Sequence, residues 1–383
     1  MAHFYSRLFG TELHKRRKTV RITVTKPSMP PLEEFLPYLS DIWERKLLTN
    51  SGPYHKEFEK ELCKHLKIEH LSLFTNGTLP LTTALQALRV TGEVITTPYS
   101  FAATAHAIQW VGATPVFVDV DEHGNIHPGR IEQAITPKTT AILPVHCYGN
   151  PCKVSEIQDL ADTYGLKIIY DAAHCFGVEI GGKSILEYGD MATLSFHATK
   201  SFNTLEGGSL VCRDAAGKKR IDQLKNFGFA GETKITMPGI NGKMDEIRAA
   251  YGLLLLKHIE SEIEKRRKIA TAYRELLAKA KGISYFNDID NVKHSYVYFP
   301  IFVNEKEYGM SRNSLYEKLK ENEFYARRYF YPLISDFLPY KGLPSSDTSN
   351  LPNATKMASE VICLPLYSDL AVEDVERIVE VIK

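Results

Sequence analysis

Lys200 closes the run Ser195-Phe196-His197-Ala198-Thr199-Lys200, downstream of Asp171-Ala172-Ala173-His174 and just ahead of Glu206-Gly207-Gly208. A lysine amine and a lone carboxylate, each following a hydrophobic strand, are the two groups that pyridoxal 5'-phosphate (PLP) asks of a protein. The amine condenses with the cofactor aldehyde. The carboxylate keeps the pyridine nitrogen protonated, so the ring can take up the electrons that a substrate carbon releases with its proton. Each residue alone has an ordinary explanation: Asp171 serves equally well as the N-cap of the turn that follows it, and an isolated lysine nearly always faces solvent. Their combination points to the cofactor, because a lysine in a partly desolvated pocket loses proton affinity, as an imine-forming amine needs.

Other residues suit the remaining parts of the same cofactor. Asn76-Gly77-Thr78 precedes an amphipathic helix with Pro80 in its first turn, and helix N-termini offer free N–H groups and a favourable dipole to phosphate. Gly77 lets the backbone approach, Thr78 adds a hydroxyl, and Ser195 adds another. A simple capped turn is the plain alternative. In Pro98-Tyr99-Ser100-Phe101, Phe101 can stack on the pyridine ring or pack into the core. His174 can bond or brace the ring, or be an ordinary half-buried histidine, and His197 reads the same way. Tyr325 to Pro332 is an aromatic and basic cluster. There Arg327 and Arg328 offer forked donors to phosphate, and Tyr329 and Tyr331 offer stacking and hydroxyl contacts. A surface strand of alternating charge is the alternative. The chain holds no Gly-rich P-loop, HExxH or GxSxG, so nucleotide-triphosphate, zinc-protease and serine-hydrolase readings lack support.

The elements that must position these residues alternate. Strands are expected at Val94–Thr97, Pro115–Val118, Ala141–His146, Lys167–Tyr170, Ala192–Phe196 and Ser209–Cys212, with Pro144 counting against the third. Helices are expected at Leu79–Arg89, Ala102–Val111, Pro128–Ala134, Val154–Tyr164 and Arg220–Phe227. Strands alternating with helices give an α/β fold with a mostly parallel sheet covered on both faces. After Gly242 the texture changes. Asp245 to Lys281 reads as one long helix or two abutting ones, followed by a strand at Tyr296–Val303, a helix over Ser311–Glu321 capped by Ser311, and a terminal helix at Val372–Ile382. This divides the chain into an N-terminal arm (1–20), a large domain (21–243) and a smaller α+β domain (244–383).

Bulk composition excludes several classes. Of 383 residues 44% are hydrophobic, and Lys+Arg 47 against Asp+Glu 46 leaves a net charge of +1. Such a chain suits a large globular enzyme, with no field to draw nucleic acid or an anionic membrane. Lys15-Arg16-Arg17-Lys18 reads as a solvated surface run. The six cysteines show no CxxC and no metal spacing, which suits free thiols in a reducing cytoplasm. The first residues lack a signal-peptide core.

From about Arg21 onward the chain resembles the DegT–DnrJ–StrS family of sugar-nucleotide aminotransferases. The resemblance rests on Thr49-Asn50-Ser51-Gly52-Pro53, Asn76-Gly77-Thr78, Pro98-Tyr99-Ser100-Phe101-Ala102-Ala103-Thr104, Gly112-Ala113-Thr114-Pro115, Asp171-Ala172-Ala173-His174, Ser195 to Lys200, Glu206-Gly207-Gly208 and Gly239-Ile240-Asn241. It implies a fold-type I (aspartate aminotransferase-like) PLP enzyme. Lys200 would hold the cofactor and shuttle the proton, Asp171 would pair with the pyridine nitrogen, Phe101 would stack and His174 would brace. Gly77, Thr78 and Ser195 would hold the phosphate, and Asn241 would reach the phosphate of a neighbouring subunit, which implies a homodimer with its active site at the subunit interface. Related sugar dehydratases carry histidine where Lys200 stands, so lysine here favours transamination. The expected reaction moves an amino group from L-glutamate to the 4-keto group of a dTDP-4-keto-6-deoxyhexose (dTDP-4-keto-6-deoxy-D-glucose), for lipopolysaccharide O-antigen or a related glycan. The alternatives are amination at carbon three, or a non-catalytic regulator that binds PLP or an aminosugar.

Overall fold

The computed structural model describes residues 21–383; the basic run at 15–18 and the rest of the arm 1–20 lie outside the described residues. Seven strands form the central sheet: β1 (His70–Phe74), β2 (Glu93–Thr96), β3 (Thr114–Phe117), β4 (Thr139–Leu143), β5 (Lys167–Asp171), β6 (Met191–Ser195) and β7 (Gly208–Cys212). Their order is β1-β7-β6-β5-β4-β2-β3. β7 runs antiparallel to both neighbours, and the remaining pairings are parallel. The start of β7 therefore lies beside the carboxyl ends of β1 and β6.

Alternate residues of each strand feed two cores, as a pleat buried on both sides requires. Leu73, Ile95, Ile142, Ile168, Tyr170, Leu194 and Val211 face one way. They meet α2 (Pro53–Leu66) and α6 (Val154–Tyr164) through Phe58, Leu62 and Ile157. Phe74, Val94, Ala141, Leu143, Ile169, Met191 and Leu210 face the other way, under α3 (Thr78–Ala87), α4 (Ala103–Trp110) and α7 (Ala215–Leu224). α1 (Leu32–Arg45) and α5 (Pro128–Ala134) complete this part.

The expected strands and helices are present, with corrections at their ends and in one helix. β4 stops at Leu143, because Pro144 cannot donate to the ladder; its carbonyl instead accepts the N–H of Asp171. The helix expected at Arg220–Phe227 lies at Ala215–Leu224, started by Asp214, whose side chain accepts the N–H of Gly217. The strand His70–Phe74 and the helices α1 and α2 were not among the expected elements.

Beyond residue 243 the charged segment forms two helices, α8 (Glu246–Leu256) and α9 (Ile259–Leu277). A small antiparallel sheet follows, from β8 (Ile283–Tyr285), β9 (Phe299–Val303) and β10 (Val361–Leu364). α10 (Arg312–Glu321) is capped by Ser311, whose Oγ accepts the N–H of Ser314. α11 (Pro352–Glu360) leads into β10, and α12 (Val372–Ile382) buries Val375, Ile378, Val379 and Ile382, the i, i+3, i+4, i+7 stripe of an amphipathic helix. The chain crosses between the parts early: Ile22–Thr23 pairs with Phe324–Tyr325, and Phe35 of α1 meets the ring of Tyr251 on α8 edge-on. All six cysteines are free thiols, five of them buried. No described helix is long and apolar enough to cross a membrane.

Candidate active site

The carboxyl ends of β1, β2, β5 and β6 open into one cleft with about 950 Å³ of empty space. Ligands of open α/β sheets sit at this edge. Its walls carry Gly77, Thr78, Phe101, Asp171, His174, Ser195 and Lys200, seven residues that the sequence scatters over more than a hundred positions.

Asp171 is the last residue of β5 and is 5% exposed. Its Oδ1 accepts the N–H of Ala173 at 3.1 Å, which is the capping contact, and its Oδ2 accepts the hydroxyl of Thr104 at 2.8 Å. Burial pushes its carboxyl up from the usual range, while those two bonds and the Lys200 charge oppose the rise. Capping and lining the cleft are thus done by one carboxylate. Lys200 keeps some surface open to the cleft, yet protein surrounds the amine closely enough that desolvation brings it down to about 8, against the pull of Asp171. Its Nζ sits 5.7 Å from the centre of the Tyr298 ring.

His174 is buried, and its Nδ1 accepts the backbone N–H of Tyr148 at 3.1 Å. Burial holds it well below the ordinary histidine range, with Lys200 adding to the effect. It is therefore neutral, and Nε2 carries its proton. Its ring lies nearly parallel to that of Phe330, 6.0 Å away.

Asn76 organises the phosphate end. Its Oδ1 accepts the N–H groups of Thr78 and Leu79, both at 2.9 Å, and so starts α3. Gly77 is sterically compelled, because a Cβ there would lie 2.8 Å from Ser195 Cβ and 2.9 Å from its Oγ. That contact brings the Ser195 hydroxyl beside the first turn of α3. Phe101 does not pack into the core. Tyr99, two residues before it, is fully buried, whereas Phe101 is 63% exposed with its ring at the cleft. His197 lines the cleft too; its Nδ1 pairs with the Thr199 hydroxyl at 2.8 Å.

The residues suggested for substrate divide. Tyr329 lines the cleft, and the Tyr148 hydroxyl, itself paired with Tyr99 at 2.6 Å, donates to its carbonyl. Arg327, Arg328 and Tyr331 are not part of the lining. Arg328 lies over the rings of Tyr316 and Tyr331, at 4.5 and 5.4 Å, and bonds Asn313. Asn241 is exposed on a loop, bridged to Asn226 and outside its own chain's cleft. Thr104 and Tyr298 belong to the site although no role was read for them. Thr104 stands one turn after Ser100, a visible spacing, but its bond to a carboxylate 67 residues away is not.

These groups fit PLP as a set: an amine near neutrality, a buried carboxylate, an uncovered aromatic face, and two hydroxyls at a helix N-terminus. They fit a metal poorly, and among the described residues no cluster of metal-ligating side chains is found.

Comparison with known proteins identifies the chain's family. The family model described as the DegT/DnrJ/EryC1/StrS aminotransferase family matches residues 32–383. A dTDP-4-amino-4,6-dideoxy-D-glucose transaminase of Escherichia coli is 55% identical over 363 residues, covering 94% of this chain and 98% of the relative. Among solved structures, DesI, determined in the presence of its TDP-sugar product, superimposes with a TM-score of 0.90 at 33% identity, over 94% of this chain and 92% of that one. Spr1654 from Streptococcus pneumoniae, solved in a PLP form, gives 0.86 at 26% identity, over 95% of this chain and 98% of that one.

Proposed function

Since the chain belongs to the DegT/DnrJ/EryC1/StrS aminotransferase family, we propose that it is a PLP-dependent transaminase that passes an amino group from L-glutamate to carbon four of a dTDP-4-keto-6-deoxyhexose. The observation that carries this reading is the meeting of Lys200, Asp171 and the uncovered Phe101 ring in one cleft. The choice of sugar follows the relative that is 55% identical. The product serves a surface glycan such as lipopolysaccharide O-antigen, and the enzyme works in the cytoplasm.

When bound, PLP supplies an aldehyde that takes up amino groups and a cationic ring that accommodates electrons freed at the adjacent carbon. The residues supply everything else. Lys200, half neutral near pH 8, would hold the cofactor through its Nζ and would carry the proton that the reaction moves. Asp171 would hold the ring nitrogen in its charged form, and Phe101 would offer its ring for stacking. His174, neutral and fixed by the Tyr148 N–H, braces the ring and offers its Nε2 proton. Gly77, Thr78 and Ser195 cradle the phosphate.

A division near residue 243 accords with this reading, because Tyr298 and Tyr329 from the later part complete a cleft whose reactive groups come from the earlier one. Asn241, outside its own cleft, reaches the phosphate of a second copy in a homodimer. Arg327, Arg328 and Tyr331 flank the nucleotide. The test is incubation of the purified protein with PLP, L-glutamate and dTDP-linked 4-keto and 3-keto 6-deoxyhexoses, with products read by mass spectrometry. Amine at carbon four is expected. Amine at carbon three refutes the regiochemistry, and no glutamate-dependent product refutes the transaminase.

A further inference from the structure

Asp171 is served by two linked hydroxyls, Thr104 in the first turn of α4 and Ser100 at the edge of the cleft. Thr104 is fully buried and its Oγ1 lies 2.8 Å from Asp171 Oδ2. One turn earlier, Ser100, 5% exposed, places its Oγ 2.8 Å from Thr104 Oγ1. The direction of these bonds follows from chemistry. An ionised carboxylate only accepts, so the Thr104 proton points to Oδ2, and a threonine that has spent its proton there can only accept from Ser100. The order is Ser100 to Thr104 to Asp171.

The backbone reinforces the arrangement. Oδ1 is held by the Ala173 N–H, so the two bonds fix both oxygens and hence the plane of the carboxylate. A carboxylate in an apolar setting favours its neutral acid, and each donated hydrogen bond opposes that. An Asp171 that had become neutral could no longer keep a ring nitrogen cationic, although it would still fill the same space.

We infer that Thr104 is a positioning residue of the reaction, holding Asp171 ionised and correctly turned toward the pyridine nitrogen, with Ser100 supporting it. The inference rests on the reading that PLP occupies the cleft. It goes further by assigning the protonation of the ring to a hydroxyl that never touches the cofactor.

The test uses Thr104→Val, which keeps the shape and removes the donor, Thr104→Ser, which keeps the donor, and Ser100→Ala. Each holoprotein is loaded with PLP labelled with ¹⁵N in the ring, and nitrogen NMR reads ring protonation while borohydride reduction and peptide mapping report attachment at Lys200. In Thr104→Val the label remains at Lys200, the nitrogen signal moves toward the unprotonated position, and kcat falls roughly ten- to hundred-fold, the weight of a hydrogen bond to a buried charge, with a smaller change in KM. Thr104→Ser retains the wild-type nitrogen signal, and Ser100→Ala shifts it in the same sense as Thr104→Val but less. A Thr104→Val protein with unchanged ring protonation overturns the inference alone, as does a Thr104→Ser protein that behaves like Thr104→Val. Absence of label at Lys200 in the wild type overturns the cofactor reading and the inference with it.

Discussion

The lowered proton affinity of Lys200 makes a prediction about how fast the cofactor-free protein takes up PLP. Only a neutral amine attacks an aldehyde. Desolvation takes this amine from 10.5 to about 8, so at pH 8 half of it is neutral, against about 0.3% of an ordinary lysine, a gain of roughly 160-fold in reactive species. Reduced basicity returns part of that gain as weaker nucleophilicity. The assay is stopped-flow absorbance of the Lys200–cofactor linkage between pH 6 and 10. The rate constant should climb about tenfold per pH unit below 8 and level off above it. Asp171 supplies a check on the cause. Its negative charge favours the ammonium form, so Asp171→Asn should move the midpoint downward. A rate that keeps rising through pH 10, or a midpoint that moves up in Asp171→Asn, would refute the electrostatic reasoning.

Two further outcomes test the surroundings. Phe101→Ala removes a residue that is 63% exposed, so folding stability should change little, while the PLP dissociation constant rises about two- to tenfold, as loss of one aromatic stack implies; equilibrium dialysis measures it, and unchanged retention removes Phe101 from the site. Lys225→Met removes the buried member of a partly exposed ionic cluster, in which Lys225 Nζ lies 3.3 Å from Glu59 and 3.0 Å from Asp222. Unfolding by urea should show a loss of about 3 kcal/mol. Burial pushes the carboxyls of Glu59 and Asp222 up, but Lys225 and Lys218 outweigh it and hold both below their usual values. Their contribution is therefore present above the unfolded carboxylate range and fades as pH falls through the lower folded values. In Lys225→Met that acid loss should begin at a higher pH.

Legibility followed the physical range of each signal. Strands β2 to β7 were readable because short apolar runs between turn residues reflect burial on both faces, and Val372–Ile382 because its stripe has a helical period. β1 was not, since His70 and Ser72 interrupt its apolar residues and its burial depends on neighbours far along the chain. α1 spaces Leu32, Phe35, Leu36, Leu39, Ile42 and Trp43 as a helix would, but Pro37 stands inside it and only Ile42 is fully buried, so the proline obscures a pattern that packing on α8 completes. The Lys200–Asp171 pairing was legible because Asp171 ends one strand and Lys200 follows shortly after another, and strands of such a sheet share one ligand edge. The support of Thr104 was not, because a bond across 67 residues leaves no local trace. Arg327 and Arg328 show the limit in reverse: their composition suggests phosphate contacts, Arg328 stacks on Tyr316 and Tyr331 outside the cleft lining, and composition alone does not say how far from the cleft such a group stands.

The cleft's titratable groups share one electrostatic logic. Burial drives Asp171 up, Lys200 down and His174 down, in every case toward the uncharged form. For His174 no opposing partner intervenes, and neutrality is what a bracing donor needs. For Lys200 the opposition from Asp171 is partial, which leaves the amine poised near 8 instead of fully neutral or fully charged. For Asp171 the opposition comes from two donated hydrogen bonds as well as from the lysine, and that is the group the chemistry requires ionised. The counterweights thus differ in the direction that each role demands, although burial still leaves the Asp171 carboxyl above its usual range. One cleft can hold a half-neutral amine beside a carboxylate because Asp171 receives two hydrogen bonds while the Lys200 amine is left to desolvation and the pull of Asp171.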